Sequence, residues 1–139
     1  MSIRYRVHQN SLVVHTVIDH TADQSELPMY REQITGVMDS GRRFNHVIEL
    51  LPVDPRSHGI AVNLALLCLV PPIQRMPIAI VAPGDMEFDI ARNFQLKYGL
   101  PRRRFAVFRT LREALDWLGV TYVQVEWGNW RIVQRDSEG

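Results

Sequence analysis

The run Asp54-Pro-Arg-Ser-His-Gly59 gathers an acid, a cation, a hydroxyl and an imidazole in one short loop. If residue 60 opens a helix, Ser57 lies at its N-terminus. Free backbone N–H groups and the positive end of the helix dipole favour an anion there. Arg56 would add a charge-assisted contact. A phosphorylation or anion site would then comprise Ser57, His58, Arg56 and Gly59. The simpler reading, and the preferred one, is that Ser57 caps the helix and His58 fills a surface turn. A nucleophilic triad of Ser57, His58 and Asp54 is not expected, because adjacent side chains seldom aim at one another. The Gly-x-Ser-x-Gly elbow is also missing.

Other chemistry-bearing residues are scattered. Arg102, Arg103 and Arg104, with Arg109 and Arg112 nearby, form the strongest charge cluster. It lacks the interleaved aromatics of a single-strand binder and reads as a solvated loop tip. Glu49 is odd, an acid beside buried strand positions with no visible partner. Asp85 is assigned to capping a helix, while Glu87 and Asp89 are expected to face water. His8 and His15 could approach across a hairpin, but two histidines make a poor metal site. The lone Cys68 sits in an apolar run and reads as a small buried hydrophobe. Phosphate-cradling glycine motifs and paired-cysteine motifs are absent, so neither cofactor nor metal is expected.

The elements that must position these residues follow from periodicity. Residues 3–7 and 12–18 read as an N-terminal hairpin turned at Gln9-Asn10-Ser11. Pro28 can sit in the first turn of a helix whose inward stripe is Tyr30, Ile34, Val37 and Met38. Gly36 within it suggests a close approach to the sheet. Residues 46–51 read as a short buried strand. Helix is preferred for residues 60–70, although periodicity alone does not separate it from strand in so apolar a run. Ile78-Ala-Ile-Val-Ala82 looks like a strand covered on both faces. Asp85 then caps a helix whose buried face is read as Met86, Ile90, Phe94 and Tyr98 with Ala91 beside them, ended by Gly99. Residues 105–108 make the next strand. Thr110-Leu-Arg-Glu113 is a capping box, and Leu111, Ala114, Leu115 and Leu118 face inward until Gly119. Gly128-Asn129 separates two β-rich runs and predicts a second hairpin. Its Tyr122, Trp127 and Trp130 are candidates for packing within the domain or for an interface.

At 139 residues the chain suits one domain with a real core. A net charge of +1 gives no general case for nucleic acid or membrane as partner. No apolar run reaches the length of about 20 residues that spans a bilayer, and no signal peptide is visible, so a cytoplasmic location is expected.

Several segments share the phrasing of one family. They are Ile78-Ala-Ile-Val-Ala-Pro-Gly-Asp85, Ile90-Ala-Arg-Asn-Phe94, Phe105-Ala-Val-Phe108 and Glu113-Ala-Leu-Asp-Trp-Leu118. Together with the opening pair of strands, this pattern resembles bacterial STAS-like proteins of the SpoIIAA-like type. The resemblance covers residues 1–119 and leaves out the terminal hairpin. It implies an α/β fold, a mixed β-sheet flanked by helices, and no known reaction for most members. In the anti-sigma-factor antagonists of that family, the loop after the third strand carries a phosphorylated serine beside an acid. Ser57 falls on that loop here, but Arg56 stands where the acid would be.

The expectation is one α/β unit, residues 1–119, with a C-terminal β-hairpin at 120–135 packed on it. The expected role is non-enzymatic: a regulatory protein–protein interaction module, using helix faces and an exposed sheet edge, with a homodimer as one form. The alternative is a small-molecule or anion-binding module. Its rim would be the loops after the strands, with Asp54, Gly84 and Asp85.

Overall fold

Among the described residues, six strands make one mixed sheet, in the spatial order Phe105–Phe108, Ile78–Val81, Asn45–Leu50, Val13–Ile18, Ile3–His8, Arg131–Ile132. The computed structural model describes residues 3–19, 25–38, 44–51, 77–121 and 127–133. The strands are β1 (Ile3–His8), β2 (Val13–Ile18), β3 (Asn45–Leu50), β4 (Ile78–Val81), β5 (Phe105–Phe108) and β6 (Arg131–Ile132). The described helices are α1 (Leu27–Met38), α2 (Asp85–Lys97) and α3 (Leu111–Trp117). Strands β1 and β2 pair antiparallel, and β2, β3, β4 and β5 then run parallel to their neighbours. The first turn closes with Leu12 in the left-handed region, at φ 52°. Among the described residues, no helix is long and apolar enough to cross a membrane.

The two faces of the sheet follow from strand alternation. One face carries Ile3, Tyr5, Val14, Ile18, Ile48, Leu50, Ile78 and Ile80, all buried. Tyr30 and Ile34 of α1 and Ala91 and Phe94 of α2 pack onto it. The opposite face carries Val13, Val47, Ala79 and Val81, covered by Ala114 and Leu115 of α3. Every residue of β4 is therefore buried, as its unbroken apolar run requires.

Helix ends obey local chemistry. The Thr110 hydroxyl accepts from the Glu113 amide at 3.2 Å, the N-cap half of the expected box, while the Glu113 carboxylate accepts from the Thr110 hydroxyl at 3.0 Å rather than from its backbone amide. Gly99 and Gly119 take the left-handed conformation past α2 and α3, at φ 61° and 78°.

Several expectations need correction. Gly84, not Asp85, is the N-cap of α2. Asp85 is instead held by the Arg109 guanidinium at 2.8 Å. Glu87 is not solvated: it is only 3% exposed and curls back so that a Cβ on Gly84 would strike its carboxylate. Ala91 and Phe94 of the expected face are buried, and Glu87 joins them at the start of α2. Met86 and Tyr98 are exposed.

Gly36 does not serve a close approach either. It is exposed in α1, and an added Cβ would meet nothing within 4 Å. Gly36→Ala is therefore expected to stabilise the protein by about 0.5–1 kcal/mol, read as a raised midpoint in urea unfolding.

The C-terminal segment reaches the sheet through β1. Strand β6 pairs with it antiparallel, Arg4 opposite Ile132 and Tyr5 opposite Arg131. The Gly128 amide donates to Val7 O at 2.9 Å, and the Val133 amide to Ile3 O at 3.0 Å. The first arm of the expected hairpin, with Tyr122, lies outside the described residues.

Candidate functional site

Polar residues collect on one half of the α3 face. Register places Arg6 opposite His15, and Val17 beside Glu49. Alternation therefore turns Arg6, His15 and Glu49 to the same side. Two hydrogen bonds join them into a chain. Arg6 Nε donates to His15 Nδ1 at 3.0 Å. A guanidinium can only donate, so Nδ1 must be the acceptor and Nε2 carries the proton. That Nε2–H donates to Glu49 Oε1 at 3.0 Å. Glu49 thus has the partner that its sequence neighbours did not reveal.

The electrostatics follow from this chain. Burial holds His15 below its ordinary pKa, more than the bond to Glu49 raises it, and the charge of Arg6 lowers it further. The His15 bond holds Glu49 below the usual carboxylate range, outweighing its partial burial, and Arg6 and Arg4 act the same way. A neutral imidazole therefore bridges a cation and an anion.

Two indoles cover it. Trp127 and Trp130 each lie with ring centroids 5.4 Å from His15. The Arg6 guanidinium sits 4.5 Å from the Trp127 ring and 4.4 Å from the Trp130 ring, and Arg4 lies 4.9 Å from Trp130. Cation–π attraction fixes the stack, and both rings shield the relay from water. His8 also touches Trp127, at 6.2 Å, but its Nδ1 accepts from the Ser11 amide at 3.0 Å. Among the described residues, no group of three His, Cys, Asp or Glu side chains could hold a metal ion.

A second polar cluster lies buried on the other face. Thr16 Oγ1 is 2.7 Å from the Tyr30 hydroxyl, and each is 2.9 Å from His46 Nε2. His46 Nδ1 has no hydrogen-bond partner among the described residues. Burial, helped by repulsion from His15 once that ring is protonated, lowers the His46 pKa to about 3. This group ties β2, β3 and α1 together, and it is closed to solvent.

The sequence-read candidates fare unevenly. Ser57, His58, Arg56, Gly59 and Asp54 lie outside the described residues, as do Cys68 and the 60–70 segment. Gly84 and Asp85 stand at the end of β4, where Arg109 occupies Asp85 and also lies 4.0 Å from the Phe88 ring. Trp127 packs against the α3-side core, and Trp130 stays partly open. The relay was missed because its members come from three strands. The hint was Glu49 itself, an acid in a buried run that needs a donor.

These features define a mixed-sheet α/β protein with an arginine–histidine–glutamate relay beneath two tryptophans. Comparison with protein-family models, curated proteins and solved structures finds no match.

Proposed function

We propose that the protein is a non-enzymatic interaction module whose contact surface is the β1–β6 edge. The observation that carries this reading is the composition of that edge. Trp130 is 39% exposed and Ile132 40%, beside Arg4 and Arg131. Exposed tryptophan and arginine are the residues that dominate protein interfaces. Here they are held ready: Arg4 and Arg6 stack on Trp130, so little side-chain freedom is left to lose on binding. The strand edge supplies backbone groups for pairing, and β6 is only two residues long, which limits open-ended growth. A second copy of this chain fits such an edge through a two-fold axis.

The reading that the chain is STAS-like, of the SpoIIAA-like type, draws support from the mixed sheet and the order of its elements. A regulatory role with Ser57 as a switch belongs to that reading and stands beside it as a proposal.

The test is native mass, measured with co-purification from the protein's own cell extract. The wild type should run as a homodimer or with a partner at fixed stoichiometry. Trp130→Ala combined with Ile132→Lys should release it as a monomer; because Trp130 also stacks on Arg6 and His15, Ile132→Lys alone should weaken association with nearly unchanged melting. A partner-free wild-type monomer, or a double variant that associates as before, would remove the edge as the contact surface.

A further inference from the structure

We propose that a pocket at the opposite sheet edge binds a small organic anion, an apolar body ending in a carboxylate or phosphate. This site is independent of the β6 edge. The pocket has a volume of about 350 Å³ and lies between α2 and β5. That is the small end of the range of about 300–1,000 Å³ usual for small-molecule sites.

Arg92 reaches it from α2 and Arg102 from the loop before β5. Among the described residues neither arginine forms an ion pair, and the lining contains no carboxylate. Two unneutralised guanidiniums across one cleft match a carboxylate or phosphate head. Leu96 is 73% exposed and, with Leu100 and Val107, supplies an apolar wall. This pairing of cations and apolar wall is what selects an amphipathic anion over a bare one.

Two details argue for a prepared site. The negative end of α2 points this way, but its last carbonyls are already used. Phe94 O accepts from the Tyr98 amide at 3.1 Å, Gln95 O from Leu100 at 3.0 Å and Leu96 O from Gly99 at 3.3 Å. The Gln95 side chain is locked as well, donating to Phe105 O at 2.7 Å and to Leu100 O at 3.2 Å.

Those same bonds argue against an added peptide strand. Arg104 O and Phe108 O bond towards β4, so Phe105 and Val107 turn their backbone outwards. Phe105 O is taken by Gln95, and the Phe105 amide by Pro101 O at 3.0 Å. Only the Val107 peptide is left for pairing, too little for an incoming strand.

The experiment is an amide NMR titration with phenyl phosphate, benzoate and inorganic phosphate in turn. Saturable shifts at Leu96, Leu100 and Val107 are expected with one or both aromatic anions, at millimolar concentration or below. Which of the two binds tighter tells the head group. Inorganic phosphate should bind more weakly, having no apolar body. Arg92→Gln with Arg102→Gln should weaken binding by about tenfold or more, while Arg103→Gln, outside the lining, should leave it nearly unchanged. Unaltered spectra away from the pocket show that the variants fold. The proposal is overturned if neither aromatic anion saturates, or if Arg103→Gln loses as much as the double variant. It is equally overturned if only a glutamate-rich peptide binds, shifting the length of β5.

Discussion

Acidification from about pH 7 to pH 4 is expected to remove several kcal/mol of folding stability, and His46→Phe to restore much of it. The sign follows from proton uptake. An unfolded histidine takes a proton near 6.5, whereas burial lowers His46 in the folded protein to about 3. Between those values the unfolded chain holds one more proton. Stability is therefore fully present above about 6.5 and is lost as pH falls through that window. One group contributes a slope of about 1.4 kcal/mol per pH unit, so roughly 4–5 kcal/mol across the window. That approaches the whole stability of a small domain, about 5–15 kcal/mol. His15, also lowered by burial, adds in the same direction. Glu49 is depressed too, and its contribution disappears further down, below its ordinary value of 4.5.

Phenylalanine at position 46 removes the titrating group but not the rest of the cluster. The Thr16 and Tyr30 hydroxyls stay 2.7 Å apart and can satisfy each other. The unpartnered Nδ1, an atom of the kind that costs about 1–3 kcal/mol when buried, goes as well. The variant should therefore lie within about 1 kcal/mol of the wild type at neutral pH and be clearly more stable near pH 4.5. Urea unfolding over a pH series reads this directly. Parallel pH profiles for the two proteins would show that His46 is not the acid-sensitive group.

What the chain discloses on reading, and what it conceals, depends on how far apart the partners are. The β4 strand announces itself, because four apolar residues in a row leave no wet face. The Thr110–Glu113 cap is equally visible, since its two members are one turn apart. The face of α2 is harder. Met86, Ile90, Phe94 and Tyr98 repeat at helical spacing, yet Met86 and Tyr98 are exposed while Glu87 is buried with its carboxylate against Gly84. Apolar spacing says that a face exists, not how far it extends. The polar clusters are concealed entirely. His46 finds Thr16 and Tyr30 at separations of 30 and 16 residues, and His15 finds Glu49 at 34. In β2 every position is buried, so alternation cannot tell which polar side chain meets which face. Only the sheet register, Arg6 against His15 and His15 against Val47, settles that.

Glu49→Leu should cost about 2–4 kcal/mol, and Glu49→Gln only about 1 kcal/mol. The difference comes from what each leaves behind. Arg6 claims His15 Nδ1, so the imidazole must present Nε2–H to position 49. Leucine gives that buried N–H no acceptor beneath two indoles. Glutamine keeps an oxygen for the N–H and loses only the charge. Stability alone would not separate this account from simple packing, so the imidazole supplies a second reading. The bond and charge of Glu49 both raise the pKa of His15, against a larger lowering by burial. Removing the carboxylate should therefore lower the His15 pKa further, with the leucine variant below the glutamine variant. Nitrogen NMR of the wild-type ring should show the proton on Nε2 throughout the neutral range. A His15 pKa that rises in Glu49→Leu, or a proton found on Nδ1, would break the relay as drawn. So would a leucine variant within about 0.5 kcal/mol of wild type, since a bond that mattered could not be lost so cheaply.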